Sequence, residues 1–151
     1  MSTRLRRCGL HVGRLLVAAE RRFNDDLIGT LHAKGFDDIR PSHGAVFANV
    51  DAEGTRPSEL ARRAEMTKQA MGELIADLEA KGYVERRRDP RDGRASLVAL
   101  TARGRLVDRA ADRAIARIER IYARRLGRAR FEALQALLED LAALPPRAPR
   151  A

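Results

Sequence analysis

The sequence predicts a mainly α-helical chain with one small β-hairpin. Two observations carry this. Apolar residues recur at three- and four-residue spacing through six separate stretches, the signature of helices with one buried face. That period breaks once, between about residues 83 and 100, where two β-prone runs flank the turn pairs Asp89-Pro90 and Asp92-Gly93.

The first helix runs over about residues 9 to 33. Val12, Leu15, Leu16, Ala19, Phe23 and Leu27 keep helical spacing, and Gly35 ends it. A short helix over about 42 to 50 carries Val46, Phe47 and Val50, and "DAEGT" then reads as a turn. "RPSELARRA" places Pro57 at or near a first helical position and offers Leu60, Ala61 and Ala64 to a core. After a very short joint, Thr67 caps the next helix, about 68 to 81. Met71, Leu74, Ile75 and Leu78 make its apolar stripe, and Gly82 stops it.

In the hairpin, "YVERRR" and "ASLVAL" are the strands, and Gly93 is free to take a positive φ in the turn. Thr101 caps a long helix over about 102 to 126. Its stripe is Val107, Ala110, Ala111, Ala114, Ile115, Ile118, Ile121 and Tyr122. Gly127 ends it, and a last helix over about 129 to 143 carries Phe131, Leu134, Leu137, Leu138 and Leu141. "PPRAPRA" has the composition of a disordered tail. Four segments follow: residues 1–35, an N-terminal dimerisation helix; 36–100, the central block; 101–144, C-terminal dimerisation helices; and 145–151, the tail. The terminal helices are assigned to a dimer because their stripes need a surface, and a second copy of the same helices supplies one.

Composition narrows the function classes. The 151 residues carry a formal net charge of +9, which favours a polyanionic partner. No run of about 18 apolar residues occurs, and the apolar N-terminal stretch is broken by Gly13, Arg14, Glu20, Arg21 and Arg22. A cytoplasmic protein is expected. Cys8 is the one cysteine, so no intrachain disulfide forms. There is no G-x-S-x-G, no G-x-x-x-x-G-K-[ST] and no usable His/Cys/Asp set, so an enzyme is not expected and no cofactor is implied. His11, His32 and His43 share no helix face at ligand spacing, so no metal site is expected. A basic RNA-binding protein would fit the charge, but aromatics for base stacking make up only 4% of the chain.

The functional constellation lies in the middle of the chain. "RPSELARRAEMTKQAMGELIADLEAKG" is a helix, a joint and a capped helix, the pattern of a helix-turn-helix. With the Met71–Leu78 stripe inward, Lys68, Gln69, Gly72, Glu73 and Ala76 face outward, and Thr67, Lys68 and Gln69 form the first turn. Gln pairs bidentately with adenine, and Lys reaches guanine or phosphate. Gly72 costs an exposed helix interior about 1 kcal/mol against Ala, which fits a helix lying close against a base-pair edge. The hairpin that follows is then a wing. Its turn "RRRDPRDGRAS" packs Arg86, Arg87, Arg88, Arg91 and Arg94 together with Asp89 and Asp92, which hold some of the arginines in place. Repulsion among these arginines is relieved when phosphates arrive, and arginines at the tip suit a narrow minor groove. The reading is double-stranded DNA binding by a winged helix-turn-helix.

Nearly the whole chain resembles the MarR family of winged helix-turn-helix regulators. The resemblance rests on "RPSELARRA", on Leu78, Glu79 and Gly82 at a helix end, on the wing pattern D-x-R-D-x-R (Asp89, Arg91, Asp92, Arg94), and on "LTARG" opening the long helix. It implies a homodimer joined through the terminal helices and a palindromic operator, usually repressed. It also implies Arg94 as the minor-groove residue, with Asp92 as its buttress. Many members release DNA on binding a small aromatic acid or phenol, which here would meet Arg22, His43 or Phe47. Each of these three also fits ordinary packing or a solvated charge. Others respond to oxidation of a cysteine. Cys8 stands roughly where peroxide-sensing members carry theirs, with Arg6, Arg7 and His11 able to lower its pKa. Those members use nearby tyrosines, and this chain has only Tyr83 and Tyr122.

Overall fold

The computed structural model describes residues 11–145. Residues 1–10 and 146–151, with Cys8 and nearly all of the expected tail, lie outside the described residues. Helix α1 spans Val12–His32, α2 Gly44–Phe47, α3 Pro57–Arg63, α4 Lys68–Ala80, α5 Ala102–Leu126 and α6 Arg128–Ala143. Strand β1 is Val84–Asp89 and β2 is Asp92–Leu100, paired antiparallel. A 3-10 turn, Pro41–His43, leads into α2.

The chain divides into two compact units, with the boundary between Ala114 and Ile115 inside α5. The core of the first unit gathers Leu31, Ile39, Val46, Leu60, Met71, Ile75, Leu78, Tyr83, Val84, Val98 and Val107. Met71, Ile75 and Leu78 are the buried residues of α4, as their i, i+4, i+7 spacing requires, and each such side chain gains about 1.5–3 kcal/mol from leaving water. In the second unit Ile118 is buried, whereas α6 buries no residue. Its Leu134, Leu137, Leu138 and Leu141 are exposed, and so are Val12, Leu15 and Val17 on α1.

Local chemistry sets the boundaries. Thr67 Oγ1 accepts from the Ala70 N–H at 3.1 Å and starts α4. Thr101 Oγ1 accepts from the Gly104 N–H at 3.1 Å and starts α5. Its hydroxyl donates in turn to the Gly82 carbonyl at 2.6 Å. Gly82 has φ +77°, the left-handed conformation that lets the chain turn from α4 into β1 across only Lys81, Gly82 and Tyr83. Gly104 answers a different need. A Cβ there would lie 2.0 Å from the Tyr83 carbonyl oxygen, so only glycine lets α5 pack this close to the strand.

Two expectations change. Gly93 does not take a positive φ; it lies within β2, and the tip of the wing is Pro90-Arg91. Asp89 makes that tip itself, since its Oδ1 accepts from the Arg91 N–H at 2.9 Å. An aspartate turn leaves the backbone nothing that needs a left-handed residue at position 93. "DAEGT" is also more than a turn. Thr55 exchanges two backbone bonds with Val98, at 2.8 and 2.9 Å, and so adds a one-residue third strand beside β2. This gives the marginal hairpin the support that two strands alone lack. Among the described residues no helix is long and apolar enough to cross a membrane.

Candidate nucleic-acid interface

Helix α4 presents its first turn outward. Thr67, Lys68, Gln69 and Glu73 are exposed, and a Cβ placed on Gly72 would meet nothing within 4 Å. Gln69 Nε2 donates to Glu73 Oε1 at 3.3 Å, so Glu73 holds the exposed Gln69 amide in place.

The wing sorts its arginines into two groups. Arg86 Nε lies 3.4 Å from Glu79, and Arg87 lies 2.6 Å from Glu85, so both are neutralised by neighbours. Arg88 and Arg94 have exposed side chains with no carboxylate partner among the described residues, and Lys68 on α4 is in the same state, whereas exposed Arg91 feels the charge of Asp89. Lys68, Arg88 and Arg94 carry the uncompensated charge of this face. Surface pairs such as Arg86–Glu79 contribute little stability, yet they subtract charge from whatever approaches.

Asp92 holds Arg94 differently from the expected buttress. Its Oδ1 accepts from the Arg94 backbone N–H at 3.2 Å, and its Oδ2 lies 3.7 Å from Arg56. The carboxylate therefore shapes the main chain and leaves the Arg94 guanidinium to reach outward. Asp89 binds no wing guanidinium either. It is 4% exposed and takes Arg56 in a two-pronged pair, Nε at 2.8 Å and Nη2 at 2.6 Å. The Arg91 N–H first, and then Arg56, hold its carboxyl below the usual carboxylate range. Arg56 and Asp89 are 33 positions apart, and no local pattern marks the pair. The Asp89-Pro90 turn signal was legible; its partner was not.

A model described as MarR family matches residues 37–95. The structure superposes on the transcriptional repressor CouR bound to a 23-mer DNA duplex with a TM-score of 0.75, at 26% identity, over 94% of this chain and 99% of that one. This chain resembles the MarR family, in sequence over residues 37–95 and in fold over nearly its whole length. The reduced form of Escherichia coli MarR shares the fold, with a TM-score of 0.72 at 24% identity over 89% of this chain and 96% of that one. Transcriptional regulator HosA of Escherichia coli O111:H- is 35% identical over 68 residues, 45% of this chain. That match spans half of the relative's own length.

The residues that the MarR resemblance offers for an effector fall in three different settings. Arg22 is exposed on α1 and pairs with Asp26 at 3.1 Å. Phe47 is half-buried, edge-on to Tyr83 with ring centroids 6.4 Å apart. His43 is fully buried. Its Nδ1 accepts from the Arg40 N–H at 3.1 Å, and its Nε2 lies 2.8 Å from Asp77 Oδ2. That is the neutral imidazole with its proton on Nε2, donated to Asp77. Burial pushes the His43 pKa below its ordinary value, against the pull of Asp77. Asp77 also accepts from Lys81 Nζ at 2.6 Å and from Arg40. Lys81 first and His43 second draw its carboxyl well below the usual range. This cluster ties the 3-10 turn to α4 across 34 positions of sequence, and sequence reasoning missed it.

Proposed function

We propose that this protein is a sequence-specific double-stranded DNA-binding transcriptional repressor. It acts as a homodimer on a palindromic operator. The observation that carries this reading is the set of three cations without an acidic partner among the described residues, Lys68, Arg88 and Arg94, on the start of α4 and on the wing. Phosphates would neutralise them, whereas the protein leaves them uncompensated. CouR, similar over nearly the whole chain, is a repressor bound to duplex DNA, which supports the same reading. The apolar residues left exposed on α1 and α6 support a dimer, because a second copy would cover them. The reading carries with it a cytoplasmic location, where the DNA is.

Base reading falls to Gln69, with Glu73 orienting it and Gly72 allowing close approach. Arg94 enters the minor groove. Release by a small aromatic acid or phenol is part of the proposal. It rests on the resemblance to the MarR family, with Phe47 and Arg22 as contacts; the ring nitrogens of His43 are both engaged within the fold.

The test begins with selection of binding sites from random duplexes by the wild-type protein. An inverted repeat is expected, with half-sites about one helical turn, roughly 34 Å, apart. Light scattering should give the mass of a dimer at micromolar concentration. Gln69→Ala should relax discrimination at one position of each half-site by about 1–3 kcal/mol and leave the melting temperature unchanged. A monomer mass, or an equal loss on every sequence, would overturn the respective part.

A further inference from the structure

Beside Arg56 lie two clefts of opposite character. One is lined by Asp51, Glu53, Glu59 and Asp89 together with Arg56, Arg63 and Arg91. Four carboxylates against three guanidiniums make it a poor seat for an anion. The other lies where the starts of α3 and α4 meet β2, and its lining is Arg56, Pro57, Ser58, Lys68, Ala95 and Ser96. It holds two cationic side chains, two hydroxyls and no carboxylate. Arg56 borders both clefts but turns Nε and Nη2 to Asp89. Lys68 is therefore the cation of the second cleft with no acidic partner among the described residues. Arg88, likewise unpaired, stands opposite Ser96 in the β-ladder and raises the potential on the wing side.

We propose that this second cleft seats one backbone phosphate of duplex DNA. The Lys68 ammonium supplies the charge, and the Ser58 and Ser96 hydroxyls donate hydrogen bonds to the phosphate oxygens. The three side chains come from three elements, α3, α4 and β2, so a phosphate held by all of them fixes the wing against the reading helix. A monoanionic phosphodiester suits one ammonium and two hydroxyls, and the small apolar walls at Pro57 and Ala95 add no competing polar group. The inference rests on the proposed reading of the head as a DNA binder and assigns Lys68 its role there. Lys68 sets register on the duplex and reads no base, because a phosphate contact carries no sequence information.

The experiment uses the full chain and an operator selected by it. Affinities are measured across a salt series on the operator and on its single-base variants, for wild type, Lys68→Ala, Ser58→Ala, Ser96→Ala and Ser96→Thr. Lys68→Ala should weaken every duplex by the same several-fold factor and lower the salt slope by about one. Ser58→Ala and Ser96→Ala should weaken every duplex with the slope unchanged, and Ser96→Thr should restore binding. Each operator phosphate is then replaced in turn by a neutral methylphosphonate. One position in each half-site should weaken the wild type and leave Lys68→Ala unaffected. If no position couples to Lys68, or if Lys68→Ala alters preference at a base position, the seat is wrong while DNA binding stands. If the wild type selects no duplex at all, the reading of the head fails first and the seat with it.

Discussion

Arg56, the last residue before α3, grips Asp89 at the tip of the wing through both Nε and Nη2, at 2.8 and 2.6 Å. The two side chains are unequal. That of Asp89 is 5% exposed and that of Arg56 is 44% exposed. Removing either breaks the same pair but strands a different partner. Arg56→Ala leaves a carboxylate out of water without a cation, whereas Asp89→Ala leaves a guanidinium that water can reach. Arg56→Ala should therefore lower the melting temperature more than Asp89→Ala, and both should weaken every DNA sequence by loosening the wing. Equal drops in thermal melts would show that the asymmetry of burial does not matter here.

His43 should make the fold acid-sensitive. Its folded pKa lies below its ordinary value of 6.5, because burial disfavours the imidazolium and, with repulsion from Lys81 and Arg40, outweighs the stabilising pull of Asp77. The unfolded chain then binds the proton more readily than the folded one. The stability from neutral His43 is complete above about pH 6.5 and declines as the pH falls from there towards the folded pKa. Asp77, depressed, adds a second loss only below its own ordinary 3.8. Thermal melts between about pH 7.5 and 5 should show a falling midpoint, and His43→Gln should flatten that fall. A wild-type midpoint constant over this range would contradict the assignment.

Gly72 and Gly104 both lie in helices and should respond oppositely to alanine. At Gly72 an added methyl meets nothing within 4 Å, so Gly72→Ala should stabilise the fold by about 1 kcal/mol. If α4 lies against base edges, the same methyl should weaken operator binding. At Gly104 the methyl would stand 2.0 Å from the Tyr83 carbonyl oxygen. Gly104→Ala should cost about 1–3 kcal/mol or more in urea denaturation, since backbone must move. A neutral Gly104→Ala would mean that α5 and β1 can separate freely.

Asp92→Ala separates two accounts of the wing. Deleting an acidic residue near phosphate should tighten binding if only charge matters. Asp92 instead shapes the backbone at Arg94 and leans on Arg56, so its loss should resemble a weaker Arg94→Ala. Arg94→Ala should cost more on operators with A·T-rich flanks, where the minor groove is narrow. Tighter operator binding by Asp92→Ala would reduce the wing to a patch of charge.

The sequence by itself determined what short-range chemistry controls. The caps at Thr67 and Thr101, the stop at Gly82, the inward stripe of α4 and the outward Lys68 and Gln69 all depend on spacings of a few residues. Such spacings set backbone hydrogen bonds and helix faces directly. The wing's arginine run was equally visible, because charge needs no partner to be counted.

Tertiary structure alone decided which charges remain free and which are consumed. Arg56 goes to Asp89 across 33 positions, His43 to Asp77 across 34, and Tyr83 to Asp38 across 45. Thr55 joins β2 through backbone bonds that any residue other than proline could make. Every arginine in the sequence is a possible partner for every aspartate, and only the packed core chooses among them. That choice turned His43 inward, moved the wing tip from Gly93 to Pro90-Arg91, and left Lys68, Arg88 and Arg94 as cations without acidic partners among the described residues on this face.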